Sequence, residues 1–416
     1  MKLLVPMPYD LRSIEHGRNL RIVHLLQQLS KDDEITIVVA DAPSAEPVRD
    51  ALPGVNVELA QPGGASSDDA LSSLSAPIRR ALAFFGDDAP LRQAMALRLS
   101  AADVVLGFGL PSLGTLIAAK HGVPGLPVVC DLIDDPWLTW QSVRRSERWS
   151  TTGFKAALCI QLLRRFALRH MDALVAVAPR DAGTLERATG VPTAVVPNGV
   201  DASEIDPSSI EREATVAFTG AMDFPPNEAA ACYFARRVWP LVLERCSDTQ
   251  PPTFAIIGAN PTPQVQALAS IPGVRVTGRV DDVKHELQRA RVAVAPMVSG
   301  SGLKNKILEA CAAGTPVVAN PLGVGGLPTG DAHGIKVTHT GSEMAEQVFE
   351  LLTQPARAQQ LGHAGWQMIR RDFTWTHAAD TFRRLLKAVS APATTGAMLS
   401  LTQATIRREA LLNAAS

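Results

Sequence analysis

The sequence predicts an α/β protein made of two doubly wound domains, each with a parallel sheet. Three observations carry that expectation. The chain has 416 residues, too many for one ordinary core. Hydrophobic residues are 46% and charged residues 19%, the balance of a soluble, packed protein. Short apolar runs of strand length alternate with longer segments of helical spacing, an order that lays helices on both faces of a parallel sheet.

Taken in order, residues 3–7 read as a strand, 8–17 as a loop, 18–29 as a helix and 35–40 as the next strand. This is the opening unit of a Rossmann-like half. Gly17 is the only glycine in its loop, so the G-x-G-x-x-G of nicotinamide and flavin dehydrogenases is absent. Residues 61–69 are rich in Gly and Ser and read as a flexible loop, and 71–99 as helical. A strand at 103–107 and a tight loop at 109–114 lead to another helix. The strand at 127–131 ends in acids, Asp131, Asp134 and Asp135, followed by Trp137 and Trp140.

Residues 152–170 read as a long helix with Phe154, Leu158, Leu162, Leu163 and Phe166 on one side, and with Lys155, Arg164, Arg165 and Arg169. Two readings stay open: a core-facing helix with a solvated back, or a basic amphipathic helix lying on a membrane surface. A strand at 173–177 and a helix at 181–189 follow, and 195–197 ends the first domain. The turn signal Pro197-Asn198-Gly199 then closes the first half. The expected domains are 1–205 and 206–374, a helix at 375–390 that returns to the first domain, and a linker and tail at 391–416.

The second half alternates more regularly. Strands are expected at 214–220, 254–258, 274–277, 292–295 and 317–319, and helices at 229–244, 265–270, 283–289, 342–354, 356–373 and 375–390. Its glycine-bearing loops fall at the carboxyl ends of strands, where open α/β sheets bind ligands. The most telling is Gly300-Ser301-Gly302-Leu303-Lys304-Asn305-Lys306-Ile307-Leu308-Glu309. Leu303, Ile307, Leu308 and Cys311 share a helical face, with Lys306 and Glu309 on the polar side. Glycines let a ligand approach the backbone. Free amides at a helix start, its dipole and two lysines favour an anion such as a diphosphate. A carboxylate farther along accepts hydrogen bonds from sugar hydroxyls. The plain alternative is an ordinary helix with a solvated Lys–Glu pair.

The formal net charge of −1 provides no global field for nucleic acid or acidic lipid, so any anion site is local. The five cysteines are odd in number and form no C-x-x-C or Cys/His cluster, which favours buried thiols in a reducing compartment over disulfides or zinc. The apolar start is too short for a signal peptide, and no 18-residue apolar run exists. The expectation is a cytoplasmic protein.

Several motifs together resemble family 4 retaining glycosyltransferases, which have the GT-B architecture of two Rossmann-like domains facing a central cleft. They are Val196-Pro197-Asn198-Gly199-Val200-Asp201; Phe218-Thr219-Gly220-Ala221-Met222-Asp223 with Pro226-Asn227; Ile257-Gly258; Val276-Thr277-Gly278-Arg279-Val280-Asp281; Val294-Ala295-Pro296; the 300–310 stretch; and Trp375 at the crossover helix. The resemblance covers residues 1–386, strongest at 173–327, and is closest to the branch that builds bacterial exopolysaccharides.

It implies a nucleoside-diphosphate sugar as donor substrate, no separate cofactor or metal, and a glycan or lipid-linked acceptor. The last would bring peripheral contact with the inner membrane surface. Gly17 and Arg18 would lie near the donor phosphates, with Gly220 and Asn227 in the first loop of the second domain. Backbone at Arg279 and Val280 would hold the base and Glu309 the ribose. Amides of Ser301, Gly302 and Leu303, together with Lys304 and Lys306, would hold the diphosphate beside Gly300.

The chain departs from the family in three places. The first of two glutamates that the family commonly spaces seven residues apart falls at Ser301. The Arg and Lys that many relatives place after the first strand of the second domain are Met222 and Asn227. No histidine ends the 127–131 strand, so Asp131 or Asp134 takes its place, to orient the sugar or accept the acceptor's proton. These departures keep two other readings alive: a non-catalytic GT-B binder of nucleotide sugar or glycan, and another GT-B enzyme such as a nucleotide-sugar epimerase.

Overall fold

The computed structural model describes residues 1–12, 17–60, 71–86, 89–144, 151–202, 206–247, 251–300 and 302–391. The loop expected at 61–69, Ser301 and all but the first residue of the 391–416 tail lie outside them. The chain divides into two compact units. One gathers Met1–Arg144, the stretch ending at Pro197 and the chain from Ala378; the other spans Asn198–His377.

The first unit holds seven strands: β1 (Lys2–Pro6), β2 (Glu34–Val39), β3 (Asn56–Leu59), β4 (Val104–Phe108), β5 (Val128–Ile133), β6 (Ala173–Ala176) and β7 (Thr193–Val195). They are all parallel, in the order β3-β2-β1-β4-β5-β6-β7. The second unit holds β8 (Glu213–Thr219), β9 (Thr253–Ile257), β10 (Val274–Gly278), β11 (Ala290–Ala295), β12 (Val317–Ala319) and β13 (Ile335–Val337). Its order is β10-β9-β8-β11-β12-β13, again parallel. Both sheets reverse direction after their third strand, between β1 and β4 and between β8 and β11. In doubly wound sheets that reversal opens a crevice for ligands.

The central strands explain the topology. Val5, Val38, Val105 and Val129, like Val216, Phe218, Ile256 and Val292, are fully buried. A strand covered on both faces needs a continuous apolar run rather than alternation. Edge strands lack that signature. β3 (Asn-Val-Glu-Leu) and the three-residue β13 carry polar residues, are at most partly buried at most positions, and were not expected. Nor was the helix Ala42–Ala51, which contains Pro47. It is started by Asp41, whose carboxylate accepts the Ser44 amide at 2.9 Å. The 71–99 helix is broken into Ala76–Phe84 and Ala89–Ala96, with Gly86 at φ +99° after the first.

The last helix, Trp375–Ser390, has the expected bounds. From Ala378 it belongs to the first unit, where Phe382 and Leu386 are fully buried and Arg383 donates to Asp33 at 2.8 Å. The unit boundary falls at Pro197/Asn198, ahead of the expected 205/206, so the turn itself opens the second unit.

Candidate functional site

In the second unit the loops after β8 and β11 converge at the switch point. β8 runs into Gly220 at φ +149°, and β9 into Gly258 at φ +150°. A Cβ on Gly258 would stand 1.8 Å from the Gly220 carbonyl oxygen. One on Gly220 would stand 2.5 Å from Asn227 Nδ2 and 3.3 Å from Lys306 Nζ. Only glycine backbone fits here, and it brings main chain directly against Lys306.

Lys306 is the centre of the site. Its Nζ donates to Asn227 Oδ1 at 2.7 Å and lies 4.1 Å from the Phe218 ring centroid. Asn227 is fixed in turn, its Nδ2 donating to the Ala221 carbonyl at 2.9 Å. Desolvation pushes the Lys306 ammonium down to about 7, opposed by Glu309 and assisted by Lys304. Glu309 lies one turn along the helix, half-buried, its carboxyl raised by desolvation and pulled back by Lys306. Its side chain makes no hydrogen bond among the described residues. The pair is therefore partly desolvated, the cation held by neutral groups and the carboxylate without a hydrogen bond.

The helix that carries them is Asn305–Ala312, which corrects the expected start near Leu303. Gly300 (φ +115°) and Gly302 (φ +67°) occupy left-handed conformations that an α-helix excludes, and Lys304 is extended at φ −98° and ψ 104°. The amides of Gly302 and Leu303 thus belong to a loop rather than to the first helical turn. Leu303 packs half-buried against the core. Lys304 Nζ donates to the Gly302 carbonyl at 3.1 Å, and its Nζ lies 3.2 Å from where a Gly300 Cβ would be. Lys304 therefore closes the loop on itself.

Of the groups that brace this loop, sequence reasoning named Asn198 and Asn305 only as motif members and passed over Asn320 and Ser299. Asn320 Nδ2 donates to the Met297 carbonyl at 2.7 Å, while its Oδ1 accepts the Gly323 amide at 2.8 Å. Asn198 Nδ2 donates to Asn305 Oδ1 at 2.9 Å. The buried Ser299 hydroxyl has no partner among the described residues. An asparagine after a strand is a weak signal alone. Met222, weighed as a replacement for a phosphate-binding cation, is fully buried. At the end of β10, Arg279 is exposed and the Val280 side chain turns toward the core, leaving backbone at the rim. β10 stands two strand spacings from β8, about 10 Å. The Gly258 amide, donating to the Gly278 carbonyl at 3.1 Å, links the ends of β9 and β10.

The first unit has its own switch-point site, between β1 and β4. Tyr9 donates to the Phe108 carbonyl at 2.8 Å, and the Arg18 guanidinium sits 4.2 Å from its ring centroid. Gly17 and Arg18 are exposed at the start of the helix Gly17–Leu29.

The acids at the end of β5 and just after it separate clearly. Asp131 is fully buried; its Oδ2 accepts Arg21 Nε at 2.9 Å and its Oδ1 the Ile133 amide at 2.9 Å. Burial pushes its carboxyl up, with Arg21 opposing. An enclosed, paired carboxylate does not reach a ligand, which corrects the expectation that Asp131 might. Asp135 is equally buried, held by Arg164 at 2.6 Å and Thr184 Oγ1 at 2.8 Å. Asp134 alone of the three is partly exposed. It follows Ile133, whose φ of +68° is an outlier for a β-branched residue. Such strain persists where the surroundings impose it and is concentrated at functional sites.

Among the described residues no group of three or more His, Cys, Asp or Glu is placed to hold a metal ion, and no helix is long and apolar enough to cross a membrane.

Residues 213–354, within the second unit, match the family model described as glycosyl transferases group 1. The chain is 27% identical over 216 residues to the phosphatidyl-myo-inositol mannosyltransferase of Mycobacterium leprae, covering 49% of this chain and 55% of that protein. It is 35% identical over 123 residues to the α-maltose-1-phosphate synthase of Mycobacterium tuberculosis, covering 27% and 31%. The matches thus span about half the length of the first relative and less of the second. Among solved structures, Anabaena HepE in complex with UDP superposes with a TM-score of 0.62 at 15% identity, over 93% of this chain and 100% of that one. The fold is therefore that of the GT-B glycosyltransferase structures, with two Rossmann-like domains.

Proposed function

We propose that the protein is a family 4 retaining glycosyltransferase. It transfers a hexose from a nucleoside-diphosphate sugar to a growing, lipid-linked glycan of exopolysaccharide type, on the cytoplasmic side of the membrane. The observation that carries this reading is the desolvated Lys306, fixed by Asn227 beside Gly220 at the switch point of the second unit. A cation partly shielded from water gains more than an exposed one from an anion that develops charge during reaction. Such electrostatic stabilisation is worth roughly 3–4 kcal/mol per well-aimed donor. The bond from the anomeric carbon to the diphosphate oxygen breaks, the acceptor hydroxyl oxygen bonds to that carbon, and its proton leaves to a base.

Lys306 and the Gly302–Leu303 amides receive the departing diphosphate, with Lys304 and Ser301 flanking them. Glu309 accepts hydrogen bonds from the ribose, and the backbone at Arg279 and Val280 holds the base. Lysines provide the positive charge, which makes the reaction metal-independent. Within the first unit, Asp134 is the choice for orienting the sugar or taking the proton, and Gly17 and Arg18 are the residues that the resemblance assigns to the phosphates. UDP-linked hexoses are the first donors to try, since HepE has been solved with UDP and with UDP-glucose. The acceptor class follows the resemblance and the lipid named in the mannosyltransferase relative.

Transfer of radiolabelled sugar from a panel of nucleotide donors tests the proposal. Steady turnover that is lost in Lys306→Ala and Glu309→Ala supports it. Nucleotide binding with no turnover across donors and acceptors would favour a non-catalytic binder, the reading that Ser301 and the missing histidine suggest. Acceptor-independent conversion of the donor would favour an epimerase.

A further inference from the structure

Two helices of the second unit begin at the candidate site and end at one arginine. Val283–Arg289 follows the rim at Arg279 and Val280, and its start is fixed by Asp282, whose carboxylate accepts the His285 amide at 3.0 Å. Asn305–Ala312 carries Lys306 and Glu309. The two pack against each other and share one core, which holds Leu287 with Ile307, Leu308 and Cys311. Their far ends meet at Arg212, the residue before β8. Its Nη1 donates to the Gln288 and Ala290 carbonyls at 2.9 Å each, to that of Leu287 at 3.3 Å and to Thr315 Oγ1 at 2.8 Å. Its Nη2 donates to the Ala313 carbonyl at 3.0 Å and to that of Gly314 at 2.8 Å. One arm of the fork thus holds the end of the first helix, and the other holds the end of the second. The fully buried Thr315 adds a second tie, since its hydroxyl also donates to the Leu287 carbonyl at 2.6 Å.

Among the described residues, the Arg212 guanidinium donates only to uncharged oxygens. Desolvation pushes it down to about 10, so it stays charged at neutral pH. A cation suits two helix carboxyl ends, whose last carbonyls have no helical partner. Arg212 is itself braced. Its carbonyl accepts Arg291 Nη2 at 2.7 Å, while Arg291 Nη1 donates to the Leu352 carbonyl at 2.9 Å.

We infer that Arg212 is a positioning residue of the donor site. By holding the ends of both helices in one planar fork, it fixes how their starts stand to each other. It does so from the end remote from any ligand, about 12 Å along the Asn305–Ala312 helix. The starts it fixes are the backbone assigned to a base and the Lys306–Glu309 pair assigned to diphosphate and ribose. A simple cap holds one helix; Arg212 joins two that would meet different parts of one ligand. The inference rests on the transferase reading and its nucleotide donor.

The test compares two probes by calorimetry on the full chain. UDP spans both helix starts, whereas inorganic pyrophosphate meets only the second. Arg212→Lys keeps the cation but replaces the fork by a single ammonium. It should weaken UDP binding roughly tenfold and pyrophosphate binding less than about twofold. A variant that merely folded less well would lose both affinities by the same factor, because both probes need the folded chain. Thr315→Val keeps the shape and removes the second tie, so it should shift the ratio of the two affinities in the same direction by roughly threefold. Equal losses for the two probes, or UDP binding unchanged in both variants, would overturn the inference. A wild-type chain that binds neither UDP nor another nucleoside diphosphate would overturn the donor reading and the inference with it. That result appears before any substitution is made, so the two failures are told apart.

Discussion

Asp131 and Lys306 occupy comparable places, each near the carboxyl ends of strands beside the point where its sheet reverses, yet their charges are used differently. In the first unit Asp131 is closed against Arg21 with neither side chain exposed, and Asp135 is closed against Arg164 and Thr184. In the second unit Lys306 is held by neutral groups, the Asn227 amide and the Phe218 ring, with Glu309 nearby but not bonded to it. The first arrangement holds loops in place. The second leaves a cation and a carboxylate partly desolvated, with no hydrogen bond between them. Burial of charge is thus not in itself a sign of a site; burial without a compensating partner is the more informative feature.

Four experiments test that contrast. The largest effect is expected from Asp131→Ala, which strands the buried Arg21 guanidinium and should cost about 3–5 kcal/mol of stability. Chemical denaturation measures it, and replacing Arg21 and Asp131 together by Met and Leu should recover most of the loss. A small effect of the single change would mean that water reaches the pair and that the contrast is false.

Next is Lys306→Ala. Turnover should fall by roughly a hundredfold or more with weakened nucleotide binding. Stability should hold or rise, since a desolvated cation is removed. Steady-state kinetics with calorimetric UDP titration separates this from misfolding, and normal turnover would count against Lys306 as the diphosphate ligand.

Glu309→Gln keeps shape and loses charge, so nucleoside affinity should drop by about 1–2 kcal/mol, more for a ribonucleotide than for its 2′-deoxy form. Equal losses for both would place Glu309 away from the ribose.

The smallest effect is a proton. Free Lys306, near 7, is protonated below that pH and neutral above it. A bound diphosphate raises it, so affinity for a UDP-sugar should fall as pH rises above about 7, and binding at about pH 8 should take up at most about one proton. Calorimetry in two buffers of different ionisation enthalpy reads this uptake, which should vanish in Lys306→Gln.

Most of the fold was legible in advance because central strands and amphipathic helices declare themselves by period. The bounds of 283–289, 317–319 and 375–390 agree with the observed elements. Edge strands β3 and β13 were missed because half-buried strands mix polar and apolar residues. The 300–310 stretch and Asn227 were visible as motif members, but that Asn227 holds Lys306 was not, since 79 residues separate them. The outward turn of Phe154 and Leu158, both exposed, was equally hidden: a helical stripe shows which residues share a side, not what that side faces.

By itself the sequence determined two parallel α/β units, the order of their elements and the glycine loops at strand ends, because these depend on local period and on backbone freedom. Tertiary structure alone decided which charges are closed off and which are left unsatisfied. Among Asp131, Asp134 and Asp135 the residue types are identical. Only long-range packing, by bringing Arg21 to the first and Arg164 to the third, encloses those two and leaves the middle one partly exposed. The same holds for Lys306, whose lowered proton affinity comes from the desolvation that folding imposes.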